Sequence, residues 1–204
     1  MKICVIPGVG FHKDEGDNNF IPLLKNEIPQ AKIEFFNWKH DYAPPDLPYK
    51  QDKISSIIRS LVTEVIFDAE YVLLHARQME IPKADVYIGH SAGSIIALMH
   101  VEDAYVISMA SPASLLESLQ SMAFMGRMGL RPIDGNRKIL NIVNTKDILA
   151  SPIKHQYVTN WIYTSNFRIG LPFATAHWDY WRNKDVICHI AKSIKKYCKE
   201  KEIS

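Results

Sequence analysis

The chain reads as a single α/β domain: a parallel, doubly wound sheet of about six strands with helices on both faces. Three observations lead there. Short continuous apolar runs, such as Ile3–Ile6 and Val86–Ile88, have the length and character of strands buried on both sides. Between the strands lie stretches whose apolar residues recur every three or four positions, and this alternation is the pattern of parallel crossover units. A length of 204 residues suffices for one sizeable core and is too short for two comfortable ones. Residues 1–204 are therefore taken as one domain, with no internal repeat.

Taken in order, Lys2–Ile6 is the first strand and ends in Pro7-Gly8-Val9-Gly10-Phe11. That glycine-rich loop contains neither G-x-G-x-x-G nor a P-loop lysine, so a phosphate cradle is the weaker reading. The other reading is a loop that turns its backbone N–H groups over the top of the sheet. Phe20–Ile28 is a short amphipathic helix closed by Pro29, and Ala31–Trp38 a second strand. Pro44, Pro45 and Pro48 then make Lys39–Lys50 too stiff for helix or central strand, and it could wall a pocket. Helical spacing over Asp52–Met79 predicts a long crossover helix capped by Asp52. Ala104–Met109 is the fourth strand, and a helical stretch opening at Ser111-Pro112 follows it. Arg137–Val143 and Tyr157–Tyr163 are the fifth and sixth strands, and Lys184–Lys199 is the closing helix.

Composition excludes several classes. A hydrophobic fraction of 47% with 23% charged residues is that of an ordinary soluble globular protein. A net charge of +2 gives no case for nucleic acid or a strongly acidic partner, and the lysines of 192–201 read as the solvated face of the last helix. Three cysteines make no disulfide framework. Cys188 and Cys198 sit about 15 Å apart along one helix, too far to bridge, and Cys4 reads as a core residue. This usage suits a reducing compartment. The N-terminal apolar run is broken by Pro7, Gly8 and Gly10 and reads as strand and loop rather than signal peptide. No run approaches membrane-spanning length. The expectation is a cytoplasmic protein without stable membrane insertion, of unspecified oligomeric state.

The stretch that carries chemistry is Asp85–His100, DVYIGHSAGSIIALMH. It places G-x-S-x-G between an apolar strand and an apolar helix, the setting of a nucleophile elbow. Such a turn is very sharp. Glycines two residues before and after the serine avoid collisions between strand and helix, and the Ser91 hydroxyl is lifted above the sheet beside a helix N-terminus. A serine hydroxyl is a poor nucleophile at neutral pH, so it needs a base and a group to orient that base. In an open parallel sheet these must come from just beyond the carboxyl ends of strands. Asp147 meets that condition after the fifth strand and His177 after the sixth. His155 is a competitor for the base, while His90, His100 and His189 read as packing residues. Asp179, close to His177 in sequence, is expected at the surface. No His/Cys/Asp cluster has metal-ligand spacing, and no cofactor is expected.

Five segments resemble the compact α/β-hydrolases of the lipase/esterase group: IPGVGF, GHSAGSIIA, SMASPASLL, NIVNTKDILASP and AHWDYWRNKDV. The resemblance spans nearly the whole chain and lacks the first two strands of larger members. It implies Ser91 as nucleophile, His177 as base and Asp147 as orienting acid. It further implies an oxyanion hole made by the N–H of Ala92 and one from the first loop, Val9 being the residue of choice. The family often carries His-Gly in that loop, where this chain has Pro7-Gly8, which leaves the second donor open. The implied substrate is a small-molecule acyl ester. Thioester, amide and acyl-transfer chemistry use the same triad, and a hydrolase fold retained only for binding is the alternative from another class. Gly8 and Gly10 of the first loop are candidate substrate contacts. So are Met125 and Met128 of the methionine-rich segment that follows the fourth strand, residues 121–137 being a candidate cap.

Overall fold

The computed structural model describes residues 1–8, 13–36, 79–100, 104–111, 138–147, 150–165 and 176–202. The long crossover helix, the proline-rich loop and the 121–137 segment expected from sequence lie outside these residues.

Six strands form one sheet: β1 (Lys2–Ile6), β2 (Lys32–Phe35), β3 (Val86–His90), β4 (Tyr105–Met109), β5 (Lys138–Asn144) and β6 (Val158–Tyr163). Their order is β2-β1-β3-β4-β5-β6, and every pair is parallel. The continuous apolar runs are explained by position. β3 and β4 are central, and each of their residues is buried, whereas the edge strand β6 has exposed residues along its length.

Successive side chains on a strand go to opposite faces, so each strand feeds two cores. Ile3, Val5, Ile88, Ile107 and Ile142 point to one face. There they meet Phe20 and Leu24 of α1 (Lys13–Glu27) and Ile187, Ile190 and Ile194 of the closing helix α3 (Lys184–Glu202). Cys4, Ile6, Tyr87 and Val106 point to the other face, against Ile96 and Ala97 of α2 (Ala92–His100). A buried side chain of this size contributes about 1.5–3 kcal/mol relative to exposure, so the two layers rather than any single contact hold the sheet. Burial also pushes the Cys4 thiol up to about 12. None of the three cysteines is in a disulfide.

One boundary differs from the sequence expectation. α1 begins at Lys13, seven residues ahead of the apolar pattern, and continues through Pro22; the segment 13–19 is polar and carries no periodic signal. His177 lies in helical structure. Residues 176–178 form a helical turn that leads directly into a 3-10 turn at Asp179–Trp181. Among the described residues no helix is long and apolar enough to cross a membrane.

The topology fixes where a site can form. After β1 the chain moves outward to β2, and from β3 it proceeds the other way through β4, β5 and β6. The carboxyl ends of β1 and β3 therefore flank the switch point of the sheet, where loops diverge and leave a crevice.

Candidate active site

Ser91 lies between β3 and α2 with φ of 53°, the left-handed region that a non-glycine residue rarely adopts. The conformation is held by its neighbours. Ser91 N donates to Met109 O at 2.9 Å, tying the turn to the end of β4, while Ser91 O accepts from Ser94 N at 3.0 Å and from Ser94 Oγ at 2.6 Å. The strand beside it ends the same way. Ala110, one residue beyond β4, has φ of 51°, and it is fully buried. Strain of this kind costs on the order of 1–3 kcal/mol per residue and persists only where the surroundings enforce it.

The glycines of the motif have contact reasons. A Cβ on Gly89 would lie 2.5 Å from Gly93 O and from Ser94 Cα; one on Gly93 would lie 2.2 Å from Ile6 O and 2.5 Å from Pro7 O. β3, α2 and the end of β1 thus meet backbone to backbone. Gly8 closes the same corner from the β1 side: its Cβ would stand 2.8 Å from Ser91 Cβ. The first loop therefore passes directly against the serine at the switch point. Val9 and Gly10 lie outside the described residues, as do Met125 and Met128. Ala92 is buried and is the first residue of α2, where N–H groups have no intrahelical acceptor.

Asp147 follows β5 in a turn closed by its own N–H donating to Asn144 O at 3.0 Å. Its side chain is wholly buried and receives His177 Nδ1 at 2.9 Å. A carboxylate only accepts, so Nδ1 carries the hydrogen and Nε2 is left with its lone pair. The imidazole itself remains slightly open, at 12% side-chain exposure, unlike the wholly buried carboxylate.

Two residues tie these turns together. Asn144, at the end of β5, accepts from Lys146 N and Ser165 N through Oδ1 and donates from Nδ2 to Ala176 O, the carbonyl preceding His177. His90, the last residue of β3 and the neighbour of Ser91, donates from Nε2 to His177 O at 2.8 Å. The His90 ring lies among His177, Trp178, Tyr180 and Trp181. Burial, reinforced by the nearby His177, holds it well below the usual histidine range against the opposing effect of that hydrogen bond. His90 is therefore neutral, and its Nδ1 has no partner among the described residues. Sequence reading assigned it to packing; it also fastens the histidine turn to the serine turn.

Asp179 corrects the sequence expectation of a surface position. It is 6% exposed, and its carboxylate accepts from Tyr163 Oη at 3.1 Å and from Asn183 Nδ2 at 2.9 Å. Its partners come from β6 and from the start of α3, which no local pattern reveals. His155 accepts from Tyr157 N at Nδ1, and His189 stacks on Trp161 with centroids 4.0 Å apart. Among the described residues no group of His, Cys, Asp and Glu is arranged to hold a metal.

No family model and no curated protein matches the chain. Among solved structures it is similar to a predicted CIB-like hydrolase from Thermoplasma acidophilum, with TM-score 0.49 and 16% identity over 96% of this chain and 86% of that one. It is similar to a putative hydrolase of the α/β superfamily from Xanthomonas campestris pv. campestris, with TM-score 0.47 and 16% identity over 94% and 98% of the two chains. For the esterase domain of a Rhodothermus marinus protein the values are 0.45 and 11%, over 98% and 86%. In the chain itself a sheet parallel throughout turns at its switch point into a left-handed serine, the α/β architecture expected from the sequence.

Proposed function

We propose that the chain is a serine hydrolase that cleaves carboxylic esters of small molecules through an acyl-enzyme at Ser91. The observation that carries this reading is the buried Asp147–His177 pair, 2.9 Å apart, whose histidine is fastened through its carbonyl to the residue next to Ser91. In this mechanism His177 Nε2 takes the Ser91 proton as Oγ attacks the acyl carbon. Asp147 holds the Nδ1–H tautomer and offsets the charge of the imidazolium, without itself becoming protonated. The tetrahedral oxyanion is received by Ala92 N–H, at the positive end of α2, together with an N–H of the first loop, for which Val9 is the candidate. His177 then returns the proton to the departing alkoxide. A water deprotonated by the same imidazole releases the acid and restores the serine.

The same residues serve a thioester, an amide or an acyl acceptor other than water, so the ester assignment rests on the resemblance to the lipase/esterase group rather than on geometry. Residues 121–137 are the candidate cap over the acyl pocket, with Met125 and Met128 as its apolar contacts.

An organophosphonate probe tests the reading. The native chain should be labelled once, with the adduct on Ser91, and Ser91→Ala should abolish labelling while leaving the melting temperature close to that of the native chain. Labelling that survives in the alanine variant removes Ser91 from the mechanism. A folded native chain that is never labelled would instead favour the fold serving as a binding module.

A further inference from the structure

Tyr180 lies three residues beyond His177 and is the largest side chain in the described core that is fully buried. Asn144 N–H donates to Oη at 2.7 Å, which leaves the hydroxyl hydrogen to be donated, and Asp147, whose own N–H is bonded to the same residue Asn144, is the neighbouring carboxylate that helps hold the phenol protonated. The ring cannot swing away, because the edge-on rings of Tyr163 and His90 stand 5.6 Å and 5.8 Å from it.

The chemistry of Asp147 gives this contact its meaning. The carboxylate has no exposed surface, so bulk water does not supply hydrogen-bond donors to it, and a buried anion is costly unless such donors are present. His177 supplies one. A second donor in a fixed position restricts rotation of a carboxylate more than one donor does and shares its charge. A phenol is a suitable second donor in a closed site: it stays protonated where Asp147 is anionic, and burial together with the neighbouring carboxylates raises Tyr180 far above the ordinary phenol range. The hydroxyl is also positioned by both turns it serves. Asn144 donates to it, closes the Asp147 turn through its carbonyl, and holds the residue before His177 through its amide.

We infer that Tyr180 is a positioning residue of this site, its buried hydroxyl fixing the orientation of the Asp147 carboxylate to which His177 donates. The inference rests on the pairing of Asp147 with His177 used in the proposed function, and it needs no knowledge of the substrate. Tyr163 is the natural control. It is a half-buried tyrosine whose hydroxyl donates to a different carboxylate, Asp179.

The test compares Tyr180→Phe with Tyr163→Phe in the full chain. The first readout is the low-field proton resonance of the His177 Nδ1–H, which reports its bond to Asp147 whether or not the protein turns anything over. Tyr180→Phe should displace or abolish this signal, and Tyr163→Phe should leave it in place. The second readout is phosphonate labelling per folded molecule, which should slow by about 10- to 100-fold in Tyr180→Phe, the worth of one hydrogen bond to a charged group. A signal unmoved by Tyr180→Phe, or moved alike in both variants, overturns the inference. If Tyr180→Phe does not accumulate as folded protein, the Tyr180 hydroxyl proton is followed in Asp147→Asn instead. Its displacement supports the contact, and an unmoved resonance refutes it. Failure of the native chain to react at Ser91 would count against the proposed function and would leave the resonance comparison intact.

Discussion

Gly8→Ala is the perturbation that reaches Ser91 most directly without touching a titratable group. The added Cβ would meet Ser91 Cβ at 2.8 Å, His90 O at 3.1 Å and His90 Nδ1 at 3.2 Å. Carbon atoms rest at about 3.5–4.0 Å, so the serine or the end of β1 must retreat by about 1 Å. Gly8 has no left-handed backbone to protect, so contact is the whole of the effect. A misplacement of about 1 Å in a reacting group costs on the order of 100-fold in rate. Overpacking of this size costs about 1–3 kcal/mol. In a domain of this length that is a fall of roughly 2–12 °C in melting temperature. Gly93→Ala differs in kind, because its Cβ would strike only main-chain atoms, the nearest being Ile6 O at 2.2 Å and Pro7 O at 2.5 Å. No side chain can yield there, and little folded protein is expected. The assay is the second-order rate constant of phosphonate labelling, corrected for folded fraction by calorimetry. Gly8→Ala labelled at the native rate per folded molecule would refute the reasoning, since the serine would then be insensitive to a Cβ placed 2.8 Å from its own.

Three further outcomes follow from the same geometry. His177→Ala should lower ester turnover at least about 1,000-fold, and Asp147→Asn should be similarly severe because it leaves the imidazole free to take the wrong tautomer, whereas His155→Ala should be mild; the reverse ranking in a chromogenic-ester assay would reassign the base. His90 is neutral when folded but titrates near 6.5 when unfolded, so below that pH the unfolded chain binds the extra proton and stability falls as pH falls, by up to about 1.4 kcal/mol per unit; above pH 6.5 this residue contributes no slope. Urea titrations between pH 5 and 7 should show that His90→Gln has lost this component, and an unchanged slope would mean that other groups carry it. Native Cys4 should resist thiol reagents at pH 8 until the chain unfolds, since burial raises its thiol to about 12; its modification in the folded chain would contradict the core assignment.

Which of these features could be read from the chain depends on how local their causes are. Central strands announce themselves because burial on both faces forces a continuous apolar run, as in β3 and β4. The elbow is legible because its steric demand falls within five consecutive residues, Gly89 to Gly93. The start of α1 is not legible because residues 13–19 are polar and Pro22 argues against a helix interior, although the helix runs through both. The burial of Asp179 is hidden because a charged residue between aromatic neighbours gives no sign of whether it faces water; its hydroxyl partner Tyr163 lies 16 residues earlier, on β6. The roles of Asn144 and Tyr180 are hidden for the same reason, their contact spanning 36 residues. A signal did exist for Asn144, a polar residue ending an otherwise apolar strand, and it could have marked a hydrogen-bonding hub.

The residues that join the turns share a property that bears on the proposed chemistry. Asn144, Tyr180 and His90 are all buried donors, and none brings a formal charge. The His90 ring centre lies 4.8 Å from that of His177. A cation at that separation would oppose an imidazolium by about 3–4 kcal/mol at an effective dielectric constant of ~20, and it would do so just when the base has taken the serine proton. That is a loss of more than 100-fold in rate, comparable to removing an oxyanion donor. Burial that keeps His90 neutral is therefore compatible with general-base catalysis by its neighbour, where a lysine in its place would not be. The same burial leaves Asp147 as the carboxylate that His177 faces, 2.9 Å from Nδ1. The site can thus be fastened at several points while the field at the imidazole stays negative, the sign that a histidine base requires.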